Sequence, residues 1–154
     1  MTLKIAVCSD EPYPIHDLLQ AELEARGHQI VAFGSMLDGA QAPWVQTAEA
    51  AAREIAAGRC DEGIFCCWTG TGIAMAANKV PGIRAALCTD AQTAAGARVW
   101  NHANVLALSN RLLGEHVLKE ILDAWFDTPA SDERGASGVR ALTDLDARTR
   151  SERG

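Results

Sequence analysis

The residues best equipped for chemistry are gathered in one stretch, Cys66-Cys67-Trp68-Thr69-Gly70-Thr71-Gly72. Glycines at 70 and 72 let backbone N–H groups approach a ligand closely, and a helix opening just after them adds its positive end. Such a nest stabilises an anion, either a phosphate or a developing oxyanion. A thiol beside the nest is the kind of group whose thiolate that field favours. Neighbouring strand residues point to opposite faces, so at most one of Cys66 and Cys67 faces the turn. Two uses fit the spacing: a reactive thiol beside an anion cradle, or two small core residues before a tight turn. As a nucleotide motif the stretch fails, because Gly70-Thr71-Gly72-Ile73-Ala74-Met75 has no third glycine and no lysine in the phosphate-loop position.

These residues need elements to position them. Apolar runs at 3–8, 29–33, 63–67, 83–88 and 105–108 read as strands, and helical patterns cover 15–26, 48–57, 73–78, 91–99 and 115–126. The runs are continuous rather than alternating, which predicts strands covered on both faces in a parallel sheet. The expected fold is therefore α/β: a three-layer, doubly wound, Rossmann-like domain with a five-stranded parallel sheet. Ligands bind such sheets beyond the C-terminal ends of the strands. That rule selects Ser9-Asp10-Glu11, Cys67 to Gly72, Thr89-Asp90 and Ser109-Asn110-Arg111. Residues 1–128 form the expected domain. Residues 129–154 read as a tail that frays or docks on a neighbouring subunit, with a short helix over 139–148.

Composition narrows the partners. With 154 residues, 48% apolar residues and a net charge of −6, the chain suits one globular domain and offers no basic face for nucleic acid. No apolar run of about 18 residues reads as a membrane span, and no secretory leader opens the chain, so the cytoplasm is the expected compartment. The five cysteines lie mostly in apolar runs without CxxC spacing, and the four histidines are scattered. Reduced buried thiols and no metal are the reading.

The stretch Cys67 to Gly72, followed by Ala76-Ala77-Asn78-Lys79 and Gly82-Ile83-Arg84-Ala85-Ala86, resembles the signature of the type B ribose-5-phosphate isomerases and their galactose-6-phosphate isomerase relatives. Ser9-Asp10, Asn101, Asn104 to Ala107, Arg111 with Gly114, and Asp123-Ala124-Trp125 extend the resemblance over about residues 3 to 126. It implies a cofactor-independent aldose–ketose isomerase working through an enediolate on a small carbohydrate-like substrate. Carried over by position, Cys67 is the base, and Thr69 with the amides at Gly70, Thr71 and Gly72 holds the enediolate oxygens. Asp10 contacts substrate hydroxyls, and Arg111 lies near a phosphate end. The family's assembly implies a homodimer with shared active sites, or a tetramer.

The departures from the family pattern are specific. Glu11 stands where the family has a histidine, and a carboxylate there repels a phosphate. Trp100 replaces the ring-opening histidine, and an indole N–H donates but cannot shuttle a proton at neutral pH. Trp68 replaces a cradle glycine and reshapes the pocket, either folded into packing or joined with Trp100 as an aromatic wall. Arg134 matches the first of two C-terminal arginines that reach the partner's phosphate, while Gly138 occupies the second place. His102 reads as a surface or capping residue. His16, His28 and His116 read as solvated, and Trp44 and Trp125 as core or interface. The expected function is an isomerase acting on something other than ribose 5-phosphate. The alternative is an inactive dimeric ligand-binding protein that keeps the fold.

Overall fold

Along the first strand Ile5 and Val7 face one way, Ala6 and Cys8 the other, and all four are fully buried. A strand with two apolar faces must lie between two layers, and it does. The computed structural model describes residues 1–154. Strands β1 (Lys4–Ser9), β2 (Gln29–Gly34), β3 (Glu62–Cys67), β4 (Ala85–Leu87) and β5 (Val105–Ser109) form one all-parallel sheet in the order β2-β1-β3-β5-β4. The helices are α1 (Ile15–Ala25), α2 (Ser35–Asp38), α3 (Trp44–Ala56), α4 (Thr71–Asn78), α5 (Ala91–Asn101), α6 (Glu115–Asp127) and α7 (Glu133–Arg153). The expected doubly wound α/β fold is the one found. No helix is long and apolar enough to cross a membrane.

The two faces of the sheet differ in texture. Ile5, Val7, Ile64, Leu106 and Leu108 pack with Leu19 and Leu23 of α1 and Leu118, Ile121, Leu122 and Trp125 of α6. On the other face Ala6, Cys8, Phe65, Cys67 and Ala107 meet Ala48, Ala51 and Ala52 of α3 and Ile73, Ala74 and Ala77 of α4. Alanine on both sides brings α3 and α4 close to the sheet, which sets α4 directly over the end of β3. Each fully buried large side chain contributes about 1.5–3 kcal/mol by leaving water.

A buried ion pair ties the layers together. Arg98 of α5 donates from Nη2 to Glu62 Oε1 of β3 at 2.7 Å, and Trp125 Nε1 donates to the other carboxylate oxygen at 2.8 Å. The guanidinium lies 4.5 Å from the Trp125 ring centroid and also donates to the carbonyls of Ala103 and Thr128. Every charge in the cluster is thus hydrogen-bonded, the condition for tolerating it inside.

Two elements differ from the sequence expectation. The strand expected over 83–88 pairs only at Ala85–Leu87, because Ile83 N–H closes a turn onto Val80 and Arg84 N–H is taken by Asn104 Oδ1. The tail is a 21-residue helix, α7, rather than a short one. Asp132 caps it by accepting from Arg134 N–H at 2.9 Å. Gly135 then lets the helix press on the end of α5, where an added Cβ would meet the carbonyls of Val99 and Trp100.

Candidate active site

In the order β2-β1-β3-β5-β4 the chain first steps outward from β1 to β2 and then returns to the other side of β1. The loops leaving β1 and β3 therefore diverge to opposite sides of the sheet and open a crevice between them. Ser9 is in register with Cys66, and Cys67 with Ser109 of β5, so three strand ends meet around this crevice. Three of the four places chosen from sequence converge here: the segments after β1, β3 and β5.

Cys67 is the last residue of β3, 6% exposed, on the face covered by α3 and α4. Cys66 is fully buried on the other face, where burial pushes its thiol up well above the ordinary range. The alternation expected of the pair holds, and only Cys67 faces the turn. Gly70 takes the left-handed conformation, φ 77°, as the cap of α4. A Cβ there would lie 2.5 Å from a Leu87 methyl and 3.0 Å from the Leu108 backbone carbon, so the turn is pressed against β5 and β4. The first amides of α4, at Thr71 and Gly72, have no intrahelical acceptor and point out of the helix start. Thr69 Oγ1 and Thr71 Oγ1 are 2.7 Å apart and share one hydrogen bond at the rim. The cradle is held from beneath: Asn110 N–H donates to the Cys67 carbonyl at 2.9 Å, and Arg111 N–H and Ser109 Oγ both donate to the Trp68 carbonyl at 3.0 Å.

Across the crevice, Asp10 Oδ1 is buried with no hydrogen-bond partner. Burial raises its carboxyl above the usual range, against the pull of nearby backbone N–H groups. An orphaned acceptor at this position is what a ligand hydroxyl would satisfy. Glu11 is not a free charge: Tyr13 Oη donates to one carboxylate oxygen at 2.8 Å and Gln41 Nε2 to the other at 3.2 Å. The Tyr13 ring stacks on Trp68, with centroids 5.6 Å apart and planes 26° apart. Glu11, Tyr13 and Trp68 thus form a braced wall on one side of the site. Trp44, 45% exposed rather than core, packs its ring against Gly72.

Other candidates stand elsewhere. Parallel strands require each following helix to run back, so α5 ends at the opposite edge of the sheet from Cys67. Trp100 and Asn101 lie at that end. The Arg134 guanidinium sits 5.0 Å from the Trp100 ring and forms a two-pronged pair with Asp132, which holds that carboxyl down at about 2. Trp100 and Trp68 do not form a wall within one chain, because each has a different partner. His102, left-handed at the end of α5, bonds through Nε2 to the Asp132 carbonyl at 2.8 Å and is the capping residue expected. Arg111 borders the crevice with an exposed side chain that joins none of the ion pairs.

Two histidines correct the sequence reading: His28 accepts from Leu3 N–H through Nδ1 at 3.2 Å and packs on the Phe126 ring with centroids 4.5 Å apart, and His16 is buried. His16 is 6% exposed, not solvated, and Nε2 lies 2.8 Å from Asn110 Oδ1. Its spacing with Leu19 and Leu23 on the buried stripe of α1 was the available signal. Tyr13 and Gln41 carried no such signal, since their roles depend on Glu11 and Trp68.

Set against known proteins, residues 5–142 match the family model described as Ribose/Galactose Isomerase. The ribose-5-phosphate isomerase B of Escherichia coli is 35% identical over 133 residues, 86% of this chain and 88% of that one. The D-erythrulose-4-phosphate isomerase of Pectobacterium atrosepticum is 35% identical over 139 residues, 90% of each chain. The structure of Clostridium thermocellum ribose-5-phosphate isomerase B superposes with a TM-score of 0.88 at 34% identity, covering 96% of this chain and 99% of that one. With the thiol, the amide cradle and the switch-point crevice, these likenesses show that the chain belongs to the ribose/galactose isomerase family and is an aldose–ketose isomerase.

Proposed function

We propose that the substrate is a short sugar derivative that cannot close a ring, a four-carbon ketose or aldose with its terminal oxygen blocked, and not ribose 5-phosphate. The observation that carries this is Trp100, an indole where the family resemblance implies a ring-opening histidine. A five-carbon aldose phosphate exists mainly as a ring and needs a proton shuttle to open it. A four-carbon sugar blocked at O4 has no hydroxyl free to form a five-membered ring, so the enzyme needs only the base and the cradle. The braced wall of Glu11, Tyr13 and Trp68 fits a shorter substrate in the same sense. Two similar proteins, from Pectobacterium atrosepticum and Mycolicibacterium smegmatis, are D-erythrulose-4-phosphate isomerases, and both align over most of this chain.

In this reading Cys67 Sγ removes a proton from the carbon beside the carbonyl. The electron pair moves onto the carbonyl oxygen, and the amides of Thr71 and Gly72 with Thr69 Oγ1 stabilise the enediolate. A proton passes between the two enediolate oxygens, and the Cys67 thiol returns its proton to the neighbouring carbon. Asp10 accepts from a substrate hydroxyl, and Arg111 meets any terminal anion. Trp100, Asn101 and Arg134 lie too far round the fold to join the Cys67 of their own chain. A homodimer that brings the partner's α5 end over the cradle would complete the site.

Proton NMR in D2O with erythrulose 4-phosphate, erythrose 4-phosphate, ribose 5-phosphate and unphosphorylated erythrulose tests the proposal. Deuterium entering beside the carbonyl of the four-carbon substrates, absent with Cys67→Ala, is the expected result. Faster exchange into ribose 5-phosphate would refute the substrate class.

A further inference from the structure

Nothing in the enediolate chemistry uses His16, yet it is buried directly behind the loop that carries Asp10 and Glu11. Its Nδ1 accepts from the backbone N–H of Tyr13 at 3.4 Å. A ring nitrogen that accepts carries no proton, so Nε2 is the N–H and donates to Asn110 Oδ1 at 2.8 Å. Asn110 passes the connection on: its Nδ2 donates to Ser9 Oγ at 3.4 Å, and Ser9 Oγ donates to the Glu11 carbonyl at 2.8 Å. The same Asn110 is rooted by its backbone N–H in the Cys67 carbonyl. One imidazole thus closes a ring of hydrogen bonds around residues 9–13 and fastens it to the strand end that carries the base.

We propose that His16 is a positioning residue of the isomerase: in its neutral form it holds the Asp10 loop, through Asn110, at a fixed distance from Cys67, and protonation of His16 releases that hold. The inference rests on the isomerase reading of this site. Both ring nitrogens are occupied, so His16 carries no proton to or from substrate and acts only through its neighbours. A protonated ring would turn an Nδ1–H against the Tyr13 N–H, donor against donor, in a buried space. The hydrogen bond to Asn110 on the β5 loop and the carboxylates of Asp17 on its own helix and Asp10 on the β1 loop all favour the charged ring. Burial outweighs them and keeps the ring neutral to lower pH than an exposed histidine. Tyr13, edge-on at 5.9 Å, has its hydroxyl committed to Glu11.

The test is kcat and KM of the full chain between about pH 4.5 and 8, spanning the range in which histidine titrates. The probe is erythrulose 4-phosphate, or whichever sugar of the exchange panel the wild type turns over, and the variants are His16→Gln and His16→Leu. The wild type is expected to lose kcat on an acid limb lying below the ordinary histidine value. Glutamine can accept from Tyr13 N–H and donate to Asn110 without titrating. His16→Gln should therefore keep kcat within about threefold at neutral pH and lose that limb. His16→Leu fills the space but leaves Asn110 Oδ1 unpartnered, and kcat should fall on the order of tenfold at every pH with little change in KM. A His16→Gln variant that keeps the wild-type acid limb, or a His16→Leu variant with wild-type kcat, would overturn the proposal. Should the variants not fold, or no sugar be turned over, the imidazole resonances of the wild type decide. They can be assigned by elimination with His28→Gln, His102→Gln and His116→Gln. The His16 ring should titrate together with the Asp10–Tyr13 amide shifts, and a ring titrating without moving those amides would overturn the proposal. Lack of turnover of all four-carbon sugars by the wild type counts against the substrate class alone.

Discussion

Replacing Gly70 by alanine asks whether the site depends on the shape of its backbone. Gly70 sits at φ 77°, and an added Cβ would lie 2.5 Å from Leu87 Cδ1, 3.0 Å from Leu108 C and 3.1 Å from Leu108 O. The Leu87 methyl ends a side chain and can turn aside. The Leu108 atoms are backbone inside β5, locked to β3 by the parallel ladder, and cannot. The left-handed conformation costs about 1–2 kcal/mol for a residue with a Cβ. Overlap in a packed place adds about 1–3 kcal/mol. If the turn holds its position, Gly70→Ala loses roughly 2–5 kcal/mol of stability. If the turn moves to relieve the overlap, the amides of Thr71 and Gly72 leave the positions from which they are proposed to hold the enediolate oxygens. Losing one such donor lowers kcat about 10²–10³-fold.

Gly82 is the control, since its φ is 85° and nothing lies within 4 Å of an added Cβ. Gly82→Ala should lose only the backbone portion, about 1–2 kcal/mol, with no change in kcat. Urea unfolding gives the stabilities and deuterium exchange into substrate gives the chemistry. Gly70→Ala with wild-type stability and wild-type exchange, or Gly82→Ala as damaging as Gly70→Ala, would show that contact with the β5 backbone does not set the cradle.

Three further perturbations probe separate parts of the molecule. Cys67→Ala should stay folded by circular dichroism and lose exchange, whereas Cys66→Ala, on the other face, should keep kcat within about threefold; equal losses in the two would remove Cys67 as the base. Arg98→Met leaves the Glu62 carboxylate buried without its partner and should lose about 3–5 kcal/mol in denaturant unfolding; a loss below about 1 kcal/mol would mean water reaches Glu62. Stability should also fall on mild acidification, because the unfolded His16 binds a proton near pH 6.5 while the buried ring binds only at lower pH. The decline begins as pH drops below about 6.5 and levels off once the folded ring titrates. Asp10, raised by burial, acts in the opposite sense at more acidic pH. A His16→Gln variant with the same decline as the wild type would assign it to another group.

The strands were legible because both their faces are covered, which writes the burial into consecutive residues such as Ile5 to Cys8 and Ile64 to Cys67. The Cys67 side of the candidate site was legible for a related reason: a thiol, a turn and a helix start adjacent in sequence stay adjacent in space. α7 was not legible at its full length, because beside its local Asp132 cap it is held where Gly135 meets the end of α5, a contact between segments about 35 residues apart. The position of β5 between β3 and β4 was equally hidden, so strand ends alone put Ser109-Asn110-Arg111 at the same end of the sheet as Cys67 without showing that they are neighbours.

The other side of the crevice was illegible for a more informative reason. Glu11 read alone is a repelling carboxylate, Trp68 an obstruction and His16 a solvated base. In the fold Glu11 accepts from Tyr13, Tyr13 stacks on Trp68 and donates its backbone N–H to His16, and His16 holds Asn110, which is anchored beneath Cys67. Independent drift would leave unrelated substitutions, each with unsatisfied groups of its own. A connected chain of contacts, with Asp10 Oδ1 the one buried side-chain polar atom left without a partner, instead fits the proposed reading of a remodelled wall around a retained reaction. Glu11, Tyr13, Trp68, His16 and Asn110 are therefore best changed together in any attempt to alter the substrate. Exchanging Glu11 alone removes the acceptor of Tyr13 while leaving the stacked Tyr13 and Trp68 rings in place.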